Sequence, residues 1–183
     1  MAGLLLAAGA GRRMGGAKAL LRHPDGAPWV ARAAQVLAEG GCRPVIVVLG
    51  AAADEAVALV PEDVPVVVAT EWAEGMGASL RAGLSALEPP AVAVLIGLVD
   101  TPGVTAETVR RLIALAAPDA LARATYQGRP GHPVLIGREH WAGVRATARG
   151  DAGAREYLAG RPVTLVECGD VGDGRDIDRP EDR

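Results

Sequence analysis

The sequence predicts an α/β fold, a mostly parallel sheet with helices on both faces. Three observations carry it. Four short apolar runs, Gly3 to Ala8, Val45 to Leu49, Val64 to Ala69 and Val92 to Ile96, are too continuous for strands solvated on one face. Helix-length segments separate them, and glycine or proline punctuates the joints. Strand followed by helix, repeated, specifies a sheet with right-handed crossovers, and chemistry is then expected at the strands' carboxyl ends.

The first helix is predicted from Pro28 to Glu39, where Gly40 and Gly41 end it. A second spans Asp54 to Val60, and a third runs from Ala78 to Leu87 and stops before Pro89 and Pro90. The fourth, Thr105 to Ala116, has Thr105 as N-cap, with Glu107 and Thr108 in its first turn. Beyond it the pattern loosens: Ala120 to Tyr126 and His132 to Ile136 read as strands around a GRPG turn, and Val163 to Glu167 as another. Two short helices are expected around Arg138 to Ala146 and Asp151 to Leu158. The tail is polar and acidic, and Pro180 opens the first turn of a helix that has no room to continue.

At 183 residues the chain suits one domain, 1–183, large enough to bury a core. Hydrophobic residues at 50% and charged ones at 22% exclude a disordered tail. A net charge of −3 offers no general attraction to nucleic acid or to an anionic membrane, and five aromatics (three Trp, two Tyr, no Phe) leave little for base stacking. No apolar stretch is long enough to span a membrane, and the start lacks the layout of a signal peptide. Cys42 and Cys168 form no CxxC motif or disulfide framework, so a reducing, cytoplasmic setting is expected.

Of 19 basic residues, Lys18 is the one lysine and all others are arginine. Arginine replaces lysine at most solvated sites, but not where a compact ammonium must approach a phosphate as a point charge. Lys18 closes the segment AAGAGRRMGGAK, residues 7–18, which follows the first strand. Its glycines and alanines expose backbone N–H groups beside Arg12, Arg13 and Lys18, the makings of an anion cradle. With no acid nearby, mutual repulsion of the three cations calls for an anionic partner. The segment fails the GxGxxG dinucleotide pattern, since Met14 stands at the third glycine, and no acidic residue for a ribose closes the second strand in VVLGAA. It also fails as a P-loop, because Ala19 follows Lys18 where Ser or Thr would hold Mg²⁺.

LLLAAGAGRRMGGAKALL resembles the opening signature of the MobA-like NTP transferases, which include the molybdenum cofactor cytidylyl- and guanylyltransferases; the methylerythritol phosphate cytidylyltransferases are similar. The resemblance continues in order through EGMGASLRAGL (74–84), LVDTPGVT (98–105), GRPGHPVLI (128–136), GDAGAR (150–155) and DIDRPED (176–182). It implies a Rossmann-like three-layer nucleotidyltransferase fold and a Mg²⁺-dependent transfer from an NTP to a phosphorylated small molecule, with molybdopterin the preferred acceptor. A molybdoenzyme or its insertion chaperone is an implied partner. Ala7, Ala8 and Gly9 would lie against base and ribose, and Gly11, Arg13 and Lys18 would hold the triphosphate. The Ala-Ala-Gly form is similar to the cytidylyl branch and favours CTP.

Gly77 and Ser79, at a helix start, would meet the base edge, with Glu71, Trp72 and Glu74 as a rim. Asp100, closing an apolar strand, needs a cation to offset its desolvation, and the resemblance makes it a Mg²⁺ ligand. The family usually has Gly before this aspartate; here it is Val99. Asp176 and Asp178 match a second acidic site near the metal; alternation in a short strand would point both to one face, and either could bind. His132 would lie near the acceptor, with Asp151, Gly153 and Arg155 forming a loop over a pterin. Three other readings stand beside this one: a sugar- or polyol-phosphate nucleotidyltransferase, an NAD(P)H-dependent oxidoreductase (similar chains can carry the name nicotine blue oxidoreductase), and a non-catalytic chaperone holding the molybdenum cofactor.

Overall fold

The computed structural model describes residues 1–182. Its centre is a seven-stranded sheet: β1 (Ala2–Ala7), β2 (Val45–Leu49), β3 (Val66–Val68), β4 (Ala93–Leu98), β5 (Leu121–Tyr126), β6 (Arg129–Gly137) and β7 (Thr164–Glu167), in the order β3-β2-β1-β4-β6-β5-β7. Helices α1 (Trp29–Glu39), α2 (Ala53–Ala56), α3 (Met76–Ser85), α4 (Ala106–Ile113), α5 (Trp141–Thr147) and α6 (Arg155–Leu158) cover both faces. Strands β1, β2, β3 and β4 pair in parallel; β6 alone runs against its neighbours, because a tight hairpin joins it to β5. The expected mostly parallel architecture is present.

Burial explains the unbroken apolar runs. Every residue of β1, β2 and β4 is buried, since alternate side chains enter two separate cores. Leu5, Ala7, Val47 and Leu95 pack with Trp29, Val30, Ala34 and Leu37 of α1 and with Val109 and Leu112 of α4. Leu4, Leu6, Ile96 and Leu98 pack with Leu80 and Leu84 of α3, Trp141 and Val144 of α5 and Leu158 of α6. At about 25 cal/mol per Å² of apolar area, each leucine sealed in this way favours the fold by roughly 1.5–3 kcal/mol.

Element boundaries differ from the sequence expectation where capping decides them. The Thr105 hydroxyl accepts a bond from the Thr108 N–H at 3.2 Å and starts α4, as expected. The expected helix over 54–60 breaks into α2 and a 3₁₀ turn, Val57–Leu59. The short helices after β6 and near residue 151 each begin as 3₁₀ turns, Arg138–His140 and Gly150–Ala152. Residues 172–178 form no strand: the tail is tied down individually, Asp173 N to Gly103 O at 2.9 Å and Ile177 N to Asp100 O at 2.9 Å. A 3₁₀ turn, Pro180–Asp182, follows.

β1 and β4 are adjacent, yet their onward connections leave in different directions across the sheet, towards β2 and towards the β5/β6 side. A crevice opens at such a switch point, outside the carboxyl ends of the strands. Leu6 pairs with Leu98 there, so the loop after Ala7 and the loop after Leu98 start level with each other.

Candidate active site

The loop after β1 folds back on itself. Gly11, at φ +57, lets its carbonyl accept from Met14 N at 2.8 Å and from Gly16 N at 3.3 Å; a Cβ there would strike the Gly16 carbonyl. That tight turn delivers Lys18 to the mouth of the crevice at the start of a 3₁₀ turn, Lys18–Leu20, with Ala19 fully buried beneath it.

Lys18 joins three distant parts of the chain. Its Nζ donates to Asp100 Oδ2 at 2.8 Å and to Asp178 Oδ1 at 2.7 Å, while Arg13 Nη1 donates to Asp178 Oδ2 at 2.9 Å. The Lys18 and Asp100 side chains are only 13% and 20% exposed, against 44% for Asp178 and 73% for Arg13. Burial works to lower the Lys18 pKa, but the bonds to Asp100 and Asp178 outweigh it and raise it. The Lys18 hydrogen bond and charge hold Asp178 below the usual carboxylate range. Asp176 is pushed the other way: although its surface is largely accessible, partial desolvation raises it first, followed by the charges of Asp100 and Asp178. Asp100 Oδ1 is buried with no hydrogen-bond partner among the described residues, an acceptor left open for a cation or donor.

The cleft above these groups measures about 530 Å³. Ala7, Ala8, Gly9, Gly11, Arg12, Arg13, Lys18 and Asp100 line one side; Trp72, Met76, Ser79 and Asp151 close the other. Over Gly9 there is open space, with nothing within 4 Å of where a Cβ would stand, so the backbone there is available for close approach. Ser79 is buried in the first turns of α3 and is not its N-cap, a place taken by Gly75. Its hydroxyl makes no hydrogen bond among the described residues and borders the cleft.

Several sequence-predicted residues stand elsewhere. Gly77 does not line the cleft: its missing side chain admits the backbone of Ala148 and Arg149, so its role is helix packing. His132 and Arg155 also lie outside the cleft lining, and so does Asp176. Of the expected rim, Trp72 borders the cleft, whereas Glu71 and Glu74 bind Arg81 at 3.2 and 2.8 Å. Arg81 also donates to Ala148 O at 2.8 Å, which fixes the turn carrying Trp72 against the end of α5. The sequence carried no signal for that clasp. Nor did it signal Glu167, whose carboxylate accepts from the N–H groups of Gln127, Gly128 and Gly169 and sets the β5–β6 turn.

The chain matches the MobA-like NTP transferase domain over residues 3–166. It is 40% identical over 190 residues to the nicotine blue oxidoreductase of Paenarthrobacter nicotinovorans, covering 98% of this chain and 92% of that protein. Among solved structures, Rv0371c of Mycobacterium tuberculosis H37Rv is similar at a TM-score of 0.84 and 29% identity, over 99% of this chain and 94% of that one. The complex of Rv0371c with manganese is similar at a TM-score of 0.76 and 27% identity, over 91% and 86%. Since the matched stretch runs from the first strand into the last and takes in both the cradle and Asp100, the chain belongs to the MobA-like NTP transferase family.

Proposed function

We propose that this chain, acting as one domain over 1–183 in a cytoplasmic setting, transfers a nucleotidyl group from an NTP, CTP favoured, to a phosphorylated small molecule, molybdopterin preferred. The observation that carries this reading is the Lys18 ammonium held between Asp100 and Asp178 at 2.8 and 2.7 Å, at the mouth of a cleft lined by Gly9, Gly11 and Arg13. An ammonium has three N–H donors, so two carboxylate bonds leave one for a phosphate oxygen.

In this reading an oxygen of the acceptor phosphate attacks the α-phosphorus; that P–O bond forms, the bond to the β-phosphate oxygen breaks, and pyrophosphate leaves with the electron pair. No protein nucleophile is required. Ala7, Ala8 and Gly9 let base and ribose lie close to the backbone, and Ser79 offers a hydroxyl to the base. Gly11 shapes the cradle, while Arg13 and Lys18 balance the charge that develops on the α-phosphate and leaving group.

Asp100, with Asp178 or Asp176, would hold a divalent ion, Mg²⁺ by preference. The fit rests on the orphaned Asp100 Oδ1 and on an all-oxygen donor set suited to a hard cation. Among the described residues no group of three or more His, Cys, Asp or Glu side chains could hold a metal unaided, which matches an ion that takes its other ligands from substrate phosphates and water. Such an ion supplies charge neutralisation and polarises the phosphoryl oxygens. That Rv0371c has been solved with manganese supports a divalent-metal reading here.

One observation favours a second reading, NAD(P)H-dependent reduction: the 40% identity to a nicotine blue oxidoreductase. Against it stand the failed GxGxxG pattern and the absence of an acid at the end of β2, where Gly50, Ala51 and Ala52 follow Leu49. The test pairs two assays on one preparation: pyrophosphate release from CTP with candidate acceptors, and NADH consumption with a quinoid dye. Pyrophosphate release without NADH consumption supports the transferase reading; the reverse overturns it.

A further inference from the structure

Residues 7–18 carry three cations and no acid, a pattern that calls for an anion from elsewhere, and the chain supplies one itself. Asp178 gives each oxygen of its carboxylate to a different cation of that loop: Oδ1 accepts from Lys18 Nζ at 2.7 Å and Oδ2 from Arg13 Nη1 at 2.9 Å. Two oxygens on one atom, held by an ammonium and a guanidinium, reproduce the edge that a phosphoryl group presents to such donors. Asp178 also lines the cleft, together with Gly9, Gly11 and Arg12. Asp100 takes another bond from Lys18, so two positive and two negative side chains cancel at the point where the sequence pattern predicts a positive cradle.

The two halves of this cluster differ in burial. Lys18 and Asp100 pair within the wall of the cleft, whereas Asp178 is nearly half exposed and Arg13 stands mostly in water. Exposed pairs are screened and weak, so the bonds to Asp178 are the ones an incoming polyanion can exchange. The backbone leading to Asp178 is fixed. Arg111 holds the Asp170 carboxylate through two bonds of 2.7 Å, Asp173 N donates to Gly103 O at 2.9 Å, and Ile177 N donates to Asp100 O at 2.9 Å. The last of these anchors lies one residue before Asp178, so rotation of a single side chain frees both cations without detaching the tail.

We propose that Asp178 is an internal competitor for phosphate: its carboxylate occupies Arg13 and Lys18, a phosphate group must displace it to bind there, and it returns as the phosphate leaves. The exchange is non-covalent, one anion replacing another on the same two donors. It keeps the subsite weak for free inorganic anions and favours release of a product anion over its retention. That the displacing phosphate belongs to an NTP or to pyrophosphate rests on the nucleotidyltransfer reading; the competition itself rests on the hydrogen bonds.

The probe is inorganic tripolyphosphate, titrated calorimetrically into the purified protein in EDTA at pH 7.5 and about 0.15 M salt. Asp178→Asn keeps the size of the side chain and removes its charge, and should tighten binding about tenfold, the scale of one charge-assisted hydrogen bond. Asp178→Ala removes the carboxylate in a second way and should give a gain of the same sign. Asp178→Glu retains a competing carboxylate and should stay within about threefold of wild type. Glu181→Gln removes an equal charge from the exposed turn that follows, and should stay within about twofold, which separates competition from a general change in charge. Circular dichroism checks that each variant is folded. Equal affinity in wild type and in both charge-removing variants, a gain as large in Glu181→Gln, or no tripolyphosphate binding in any of them overturns the proposal. If the gain is found while no nucleotide yields pyrophosphate, the transferase reading fails and the competitor stands. Turnover with an unchanged tripolyphosphate affinity does the reverse: the competitor falls and the transferase reading stands.

Discussion

Lys18 and Asp178, 160 positions apart in the chain, meet at 2.7 Å, and through Lys18 the tail is joined to Asp100 as well. One ammonium thereby bridges two carboxylates that would otherwise repel each other beside the cleft. Three predictions test this arrangement and the cradle beside it, and a fourth tests the β5–β6 turn.

In the proposed transfer, replacing Lys18 with alanine removes the charge that balances the transferred phosphate. Pyrophosphate release is expected to fall by about 10²–10³, the range for losing one preorganised donor to a developing oxyanion. Circular dichroism should show the fold retained. Near-wild-type turnover in the folded variant would remove Lys18 from the mechanism.

Partial desolvation first, and then the charges of Asp100 and Asp178, raise the Asp176 pKa, so its ionisation at neutral pH works against the metal-free fold. For a group raised in this way, stability is fully present below the ordinary value of 3.8 and is lost as pH rises through the folded value. Asp176→Asn should therefore raise the Tm of metal-free protein at pH 7 by roughly 1–3 °C. It should also shrink any stabilisation by added Mn²⁺, and unchanged melting in both conditions contradicts the charge argument. Asp178 has the opposite sign: Lys18 depresses it, so its contribution is present above 3.8 and is lost as pH falls through the folded value.

Gly9 borders the cleft with open space where a side chain would stand. Gly9→Val should leave Tm nearly unchanged yet weaken NTP binding about tenfold or more, because the branched side chain fills the approach to the backbone. Calorimetric titration beside a melting curve separates the effects, and equal nucleotide affinity in the variant would move the nucleotide off this segment.

The β5–β6 turn depends on Glu167, whose carboxyl is lowered to about 2 by the N–H groups of Gly128, Gln127 and Gly169 and by the Thr125 hydroxyl. Its stabilisation is fully present above its ordinary value of 4.5 and is lost as pH falls through about 2. Glu167→Gln should melt below wild type at pH 7, and the two curves should converge as pH approaches about 2. A gap that persists unchanged at low pH would show that shape, not charge, holds the turn.

Much of the fold was legible because the strands buried on both faces, β1, β2 and β4, leave unbroken apolar runs. The cradle was legible for a related reason: glycines and three cations without acids are a local pattern, and so is an aspartate closing an apolar strand. Long-range relationships were not. Nothing near Asp178 marks it as the partner of Lys18, and nothing near Gly77 shows that residues 148–149 pack against it. The tail aspartates were expected in a short strand, but single hydrogen bonds to residues 100 and 103 place that segment instead.

The most direct test of nucleotidyltransfer at the Lys18–Asp100–Asp178 cluster is isothermal titration of the purified protein with CTP, GTP, ATP and NADH, each with and without Mg²⁺. The account predicts metal-dependent NTP binding, tightest for CTP, with NADH inert. Binding of NADH alone, or NTP binding indifferent to metal, would contradict it.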